Sequence, residues 1–147
     1  MDREMRPRFA WLTPVLGLTW VLLHVLALVL SGDAGIRGRP LLRWGEPHPF
    51  VLLELGGETP GLVRAGEVGR LLSHAFLHAS FVHLALNLWV FGVLGARFER
   101  TVGAARLLLV FVASAVAGGL AHLLLGEGLV VGASGRIFGV AGALGLW

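Results

Sequence analysis

From Phe9 to Leu30 the chain runs for 22 residues without a formal charge. Wound as a helix at ~1.5 Å per residue, such a run is long enough to cross a hydrocarbon core of ~30 Å. The apolar stretch of a cleaved signal peptide is shorter, typically ~7 to 15 residues, so the segment reads as a retained span. Two further apolar runs follow, Phe81 to Ala96 and Leu107 to Leu125, and a fourth opens near Ser134 and reaches Trp147. These last 14 residues amount to ~21 Å of helix, short of a full crossing, which predicts a span cut within a helix. The spans are thus expected at about 9–30, 81–96, 107–125 and 134–147. Composition agrees: 56% of residues are hydrophobic and 14% charged, too apolar for an ordinary soluble domain. The expected class is an all-α membrane protein in a lipid bilayer.

The charges fit the same picture. All twelve basic residues are arginine, against nine acids, and they flank the apolar runs instead of forming one stripe, which argues against nucleic acid as a partner. There are no cysteines, so neither a disulfide framework nor a thiolate metal site can form. Arg97, Arg100 and Arg106 lie between the second and third runs, and Arg3, Arg6 and Arg8 precede the first. The positive-inside rule puts both stretches, and so the N-terminus, in the cytoplasm. Residues 32–80 then lie on the opposite side. That stretch balances five arginines with five acids, and prolines 40, 47, 49 and 60 interrupt it. Phe50-Val51-Leu52-Leu53 and Leu71-Leu72 are too apolar for a disordered linker, so short helices in the membrane interface are expected.

Ionisable and polar groups inside apolar spans are costly, and that makes them candidates for function. His83 and Asn87 are four residues apart, on one face of a helix, with His74 and His78 just upstream. On spacing alone they serve equally well as bonds between neighbouring helices. The fourth run opens with Gly132-Ala133-Ser134-Gly135, and Gly135, Gly139 and Ala143 form a stripe of small residues. Such a stripe permits close helix packing, and a lone serine in a helix usually bonds its own backbone. The Gly-x-Ser-x-Gly elbow of soluble hydrolases is excluded because Arg136 stands where the last glycine should be. A zinc peptidase helix is excluded too, since His74-Ala75-Phe76-Leu77-His78 has no glutamate base, and no metal or other cofactor is expected.

Taken together, Glu67-Val68-Gly69-Arg70-Leu71-Leu72-Ser73-His74-Ala75-Phe76-Leu77-His78 with His83 and Asn87 resembles the first-loop and second-helix signature of rhomboid proteases. Gly95-x3-Glu99 with Gly103 and Arg106 is similar to that family's exit from the helix, and Gly132-Ala133-Ser134-Gly135 with Ile137-Phe138-Gly139 to its nucleophile box. The resemblance implies a rhomboid-like helical bundle. Residues 1–147 would form a single partial rhomboid domain with four of the six core helices, the fourth incomplete. It also implies an intramembrane serine endopeptidase that cleaves transmembrane protein substrates by a Ser-His dyad. By the same resemblance, Ser134 matches the nucleophile and His83 and Asn87 the donors that stabilise the oxyanion. Preorganised donors of this kind lower the energy of a tetrahedral intermediate by roughly 3 kcal/mol each. His78 matches a structural position bonding the loop, and Phe138 an aromatic packed on the catalytic histidine. Arg70 matches the arginine of the family's Trp-Arg loop motif, although Gly69 replaces the tryptophan.

A serine hydroxyl needs a base, which in this family is a histidine downstream of the serine. No histidine follows Ser134 in the 147 residues, and Ala121-His122 precedes it and lacks the glycine context, so His122 is assigned to the end of the third run with no catalytic part. Residues 1–147 alone are therefore expected not to hydrolyse peptides. The alternative from another class is a non-catalytic rhomboid-like protein that binds client transmembrane segments. Arg136, a charge near the start of a core helix, is expected to reach either an aqueous cavity or an acid, for which Glu127 is a candidate. The all-arginine basic set leans toward a bacterial inner membrane.

Overall fold

The computed structural model describes residues 9–32 and 45–132, together with 139 and 142. The elements are α1 (Leu12–Ser31), α2 (Pro49–Glu54), α3 (Pro60–Arg64), α4 (Arg70–Ser73) and a 3-10 turn (His74–Phe76), then α5 (Phe81–Val102) and α6 (Ala104–Leu125). Three of them, α1, α5 and α6, are long and apolar enough to cross a bilayer. The architecture is that of an all-α membrane protein. The fourth apolar run falls almost wholly outside the described residues.

The arginine-rich stretch 97–106, read from the sequence as a connection, is nearly all helix. α5 continues through Arg97-Phe98-Glu99-Arg100 to Val102, and α6 begins at Ala104. Gly103 alone separates them, at φ +100°, a conformation open to glycine and strained for other residues. Charged residues continue the helix because arginine and glutamate are good helix formers, and each side chain finds its own solution. Arg97 and Arg100 stay exposed while Phe98 and Glu99 turn inward.

Glu99 is 1% exposed, and its carboxylate accepts the main-chain N–H groups of Trp11 and Leu12 at Oε1 (both 2.8 Å). At Oε2 it accepts the Thr13 N–H (2.8 Å) and the Thr13 hydroxyl (2.7 Å). The first turn of any helix has four N–H groups without intrahelical partners, and no side chain within α1 caps them. Glu99 supplies the cap from another helix and places a negative charge at the positive end of α1. It thereby fixes α1 against α5.

Beside that cap the three long helices share one apolar cluster, with Leu12, Leu16 and Trp20 from α1, Leu84, Phe91 and Phe98 from α5, and Leu107 and Phe111 from α6. The Trp20 ring lies 4.9 Å from Phe91 and 6.2 Å from Phe111, distances at which aromatic pairs attract. The outward faces carry Leu18, Leu22 and Val29 of α1, Trp89 and Val93 of α5, and Leu109 and Leu124 of α6, all exposed. Lipid is the natural solvent for such faces.

Residues 45–80 form short helices, as the apolar patches within them imply. Two of the prolines that interrupt the stretch sit at helix starts. Pro49 and Pro60 each occupy the first turn, where a missing N–H costs nothing. His48 caps α2 by accepting the Phe50 N–H at Nδ1 (3.2 Å), and Thr59 caps α3 by accepting the Leu62 N–H (3.4 Å). Arg70 ties the segment together: its Nη1 donates to the Leu53 and Gly57 carbonyls and its Nε to Glu67 Oε2 (2.7 Å). The loop is thus anchored through Arg70 although glycine precedes it.

Removing the Glu99 carboxylate leaves several buried donors unpaired. Glu99→Ala is expected to destabilise the bundle by roughly 3 kcal/mol and Thr13→Ala by about 1 kcal/mol, read as shifts in reversible unfolding in mixed micelles. A Glu99→Ala chain as stable as the parent would show that the cap contributes nothing.

Candidate active site

The site begins at the N-terminus of α5. Ser80 is extended (φ −158°, ψ 165°) and its hydroxyl accepts the His83 N–H at 3.2 Å. This side-chain cap starts the helix and sets the azimuth of His83 in its first turn. Asn87 follows one turn later on the same face. It is 6% exposed, and its Nδ2 has no hydrogen-bond partner among the described residues. A buried donor left in that state costs free energy, which suits a group that bonds something else during a reaction.

The His83 ring meets the segment that leads to Ser134. Gly132 adopts φ +125°, and a Cβ placed on it would lie 2.5 Å from His83 Cε1 and 2.9 Å from Nε2. Only glycine leaves room for the imidazole there and tolerates that backbone conformation. The Gly132 N–H donates to the His74 carbonyl at 3.0 Å. His74 and His83 therefore hold Gly132 between them, two positions before the serine.

Behind His83 lies His78, 1% exposed, with the two rings edge-on at 5.3 Å. His78 in turn packs on Trp20, also at 5.3 Å, which links the site to the aromatic cluster of the three helices. His24 of α1 is buried as well, beside the backbone of Gly45 and His78.

A second polar cluster adjoins the first. Glu58 is fully buried, with Oε1 3.2 Å from His122 Nδ1 and Oε2 3.4 Å from His74 Nδ1. The His74 Nδ1 also lies 2.8 Å from the Arg70 carbonyl, which is the shorter and dominant contact. Burial raises the Glu58 pKa above the ordinary carboxylate value near 4.5, opposed by its hydrogen bond with His122. His122 sits in the last turn of α6, where the sequence put it.

The structure thus brings His83 against Gly132, with Asn87 one helical turn further along α5. Ser134 itself lies outside the described residues, as do Ala133, Gly135, Arg136 and Phe138, so the candidate Arg136–Glu127 pair lies outside them too. Beyond them, Gly139 comes close enough to Ser114 of α6 that a Cβ there would collide with the Ser114 side chain, a close approach of the kind the small-residue stripe predicts. The sequence reading passed over three residues. Ser80 was legible as a capping residue before an apolar run, and His24 as an ionisable group inside a span. Glu58 had no local signal, because its partners are distant in the chain.

The described residues define an all-α membrane protein with three helices long enough to span a bilayer and with His83 packed against Gly132. Residues 65–147 match the Rhomboid domain family, more than half of the chain. The chain belongs to the rhomboid family. RHOMBOID-like protein 4 of Arabidopsis thaliana is 32% identical over 161 residues, covering 97% of this chain and 40% of the relative. Rhomboid protease GluP of Bacillus subtilis is 35% identical over 100 residues, 68% of this chain and 20% of the relative. Rhomboid-like protease 2 of Toxoplasma gondii is 30% identical over 133 residues, 88% of this chain and 45% of the relative. The chain spans less than half the length of each of these proteins. They come from a plant, a bacterium and a protozoan, so they give no support to a bacterial inner membrane in particular.

Two outcomes follow from the site. Gly132→Ala forces either the His83 ring or the backbone to move, and is expected to weaken the hydrogen bond to His74, seen as faster amide exchange at residue 132. Unchanged exchange would contradict the close approach. The second concerns pH. Glu58 holds its proton more tightly folded than unfolded, so its contribution to stability is full below about 4.5 and is lost as pH rises through its raised value. The unfolding midpoint of the parent should fall across that window relative to Glu58→Gln, and parallel curves would refute the shift.

Proposed function

We propose that this chain carries the nucleophile half of an intramembrane serine endopeptidase whose substrates are transmembrane proteins. Ser134 is the nucleophile, and His83 and Asn87 donate to the oxyanion. The carrying observation is the close approach of His83 to Gly132, with the Asn87 amide, unpaired among the described residues, one helical turn further along α5. Attack of the serine hydroxyl on a peptide carbonyl moves negative charge onto the carbonyl oxygen. An imidazole N–H and an amide N–H2 are both donors suited to that oxygen, and in a site shielded from water they act at full strength. Relatives named as rhomboid proteases support the reaction class.

The serine's proton must go to a base, and in the resembling family this is a histidine downstream of the nucleophile. It takes the hydroxyl proton as the acyl-enzyme forms and returns it to the leaving amine. No histidine follows Ser134 within residues 1–147, so the activity is assigned to the protein that supplies one. The N-terminus is cytoplasmic in this reading, and the site opens toward the side that holds residues 45–80.

The test is cleavage of a single-span membrane substrate by the full-length protein in liposomes. Ser134→Ala is expected to abolish cleavage, and Asn87→Ala to lower kcat by roughly 10²- to 10³-fold. Cleavage that survives Ser134→Ala would overturn the assignment. Client binding without any cleavage by the parent would favour the non-catalytic alternative.

A further inference from the structure

Glu58 has no part in the chemistry above, yet it is fully buried at the junction of three elements. Its main chain forms an antiparallel bridge with Val130: the Glu58 N–H donates to the Val130 carbonyl (3.1 Å) and the Val130 N–H to the Glu58 carbonyl (2.9 Å). Its side chain reaches the other way, to His122 in the last turn of α6 and toward His74 in the 3-10 turn. α6 leaves room for the carboxylate at Gly119, where a Cβ would lie 2.8 Å from Oε2 and 3.1 Å from the Leu71 Cα.

Val130 and Gly132 are the anchored residues of the stretch that leads to the serine. Val130 bonds the backbone of Glu58, and Gly132 bonds the backbone of His74. The side chains of those two anchors are neighbours, with Glu58 Oε2 3.4 Å from a His74 Nδ1 whose shorter contact is the Arg70 carbonyl. Through His122 the Glu58 carboxylate is fixed to α6, whose Leu107 and Phe111 also pack on α1 and α5. Burying this side chain is costly, and Oε1 recovers part of that cost only while His122 stays in reach, which ties residue 58 to the end of α6.

We propose that Glu58 is a positioning residue for the nucleophile: its hydrogen bond with His122, together with its backbone bridge to Val130, fixes residues 130–132, and so the placement of Ser134 against His83 and Asn87. This rests on Ser134 being the nucleophile. Glu58 touches no substrate. It acts by geometry, so its loss lowers the rate of the chemical step and leaves substrate binding unaltered.

The experiment compares Glu58→Leu, Glu58→Gln, His122→Ala, His122→Asn and Ser134→Ala in the full-length protein in liposomes, with a single-span membrane substrate. Leucine removes both acceptor oxygens at similar volume, whereas glutamine keeps one. Asparagine at 122 offers an N–H near the place of Nδ1, which alanine does not. Glu58→Leu and His122→Ala should lower kcat about 10- to 100-fold with KM within about twofold, and Glu58→Gln and His122→Asn should recover most of the rate. Amide exchange at Val130 and Gly132 should accelerate in the same order. Should Glu58→Leu not fold, the His122 pair, altered at a partly exposed side chain, decides the matter. Wild-type kcat and wild-type exchange in His122→Ala would overturn the proposal. Cleavage persisting in Ser134→Ala would instead remove the nucleophile assignment, and the exchange rates would still decide whether Glu58 fixes residues 130–132.

Discussion

A helix that starts inside a membrane protein presents main-chain N–H groups that have no water to bond, and in this chain the carboxylate of Glu99 answers that need for α1. The rest of the bundle depends on this contact. It pins the start of α1 to the end of α5, so Trp20 falls between Phe91 and Phe111. Trp20 then supports His78, and His78 stands edge-on to His83. A capping interaction at one end of the bundle is thus continuous, through packed rings, with the His83 imidazole that faces Gly132.

The polar groups of the interior divide by how completely they are satisfied. Glu99 accepts hydrogen bonds at both oxygens, and its role is to hold. Asn87 is buried with its amide unpaired among the described residues, which leaves that donor open to another partner. His83 lies between these cases, capped at its backbone by Ser80 and with its ring over Gly132. Preorganised donors that are costly at rest and useful in a transition state are what an oxyanion site requires.

Much of this was legible in the sequence, for reasons that differ between residues. The spans follow from length and hydropathy, and the His83–Asn87 face from helical spacing alone. Pro49 and Pro60 were visible as interruptions but not as helix starts, since that depends on the caps His48 and Thr59. The single-residue joint at Gly103 was hidden because four charged residues resemble a loop, and only the inward turn of Glu99 explains why the helix runs through them. Glu99 bonds residues 86 to 88 positions away, and Glu58 a histidine 64 positions away. Pairings over such distances leave no local pattern, so they become visible only once the fold is known.

The central claim is that the first turn of α5 and the glycine segment before Ser134 are in contact. Solid-state NMR on the membrane-embedded protein, with ¹⁵N-labelled His83 and ¹³C-labelled Gly132, measures it directly. Measurable dipolar recoupling between the ring nitrogens and the glycine Cα is expected, as for atoms in van der Waals contact at about 4 to 4.5 Å. Absence of any recoupling between the two residues, in protein shown to be folded, would contradict it.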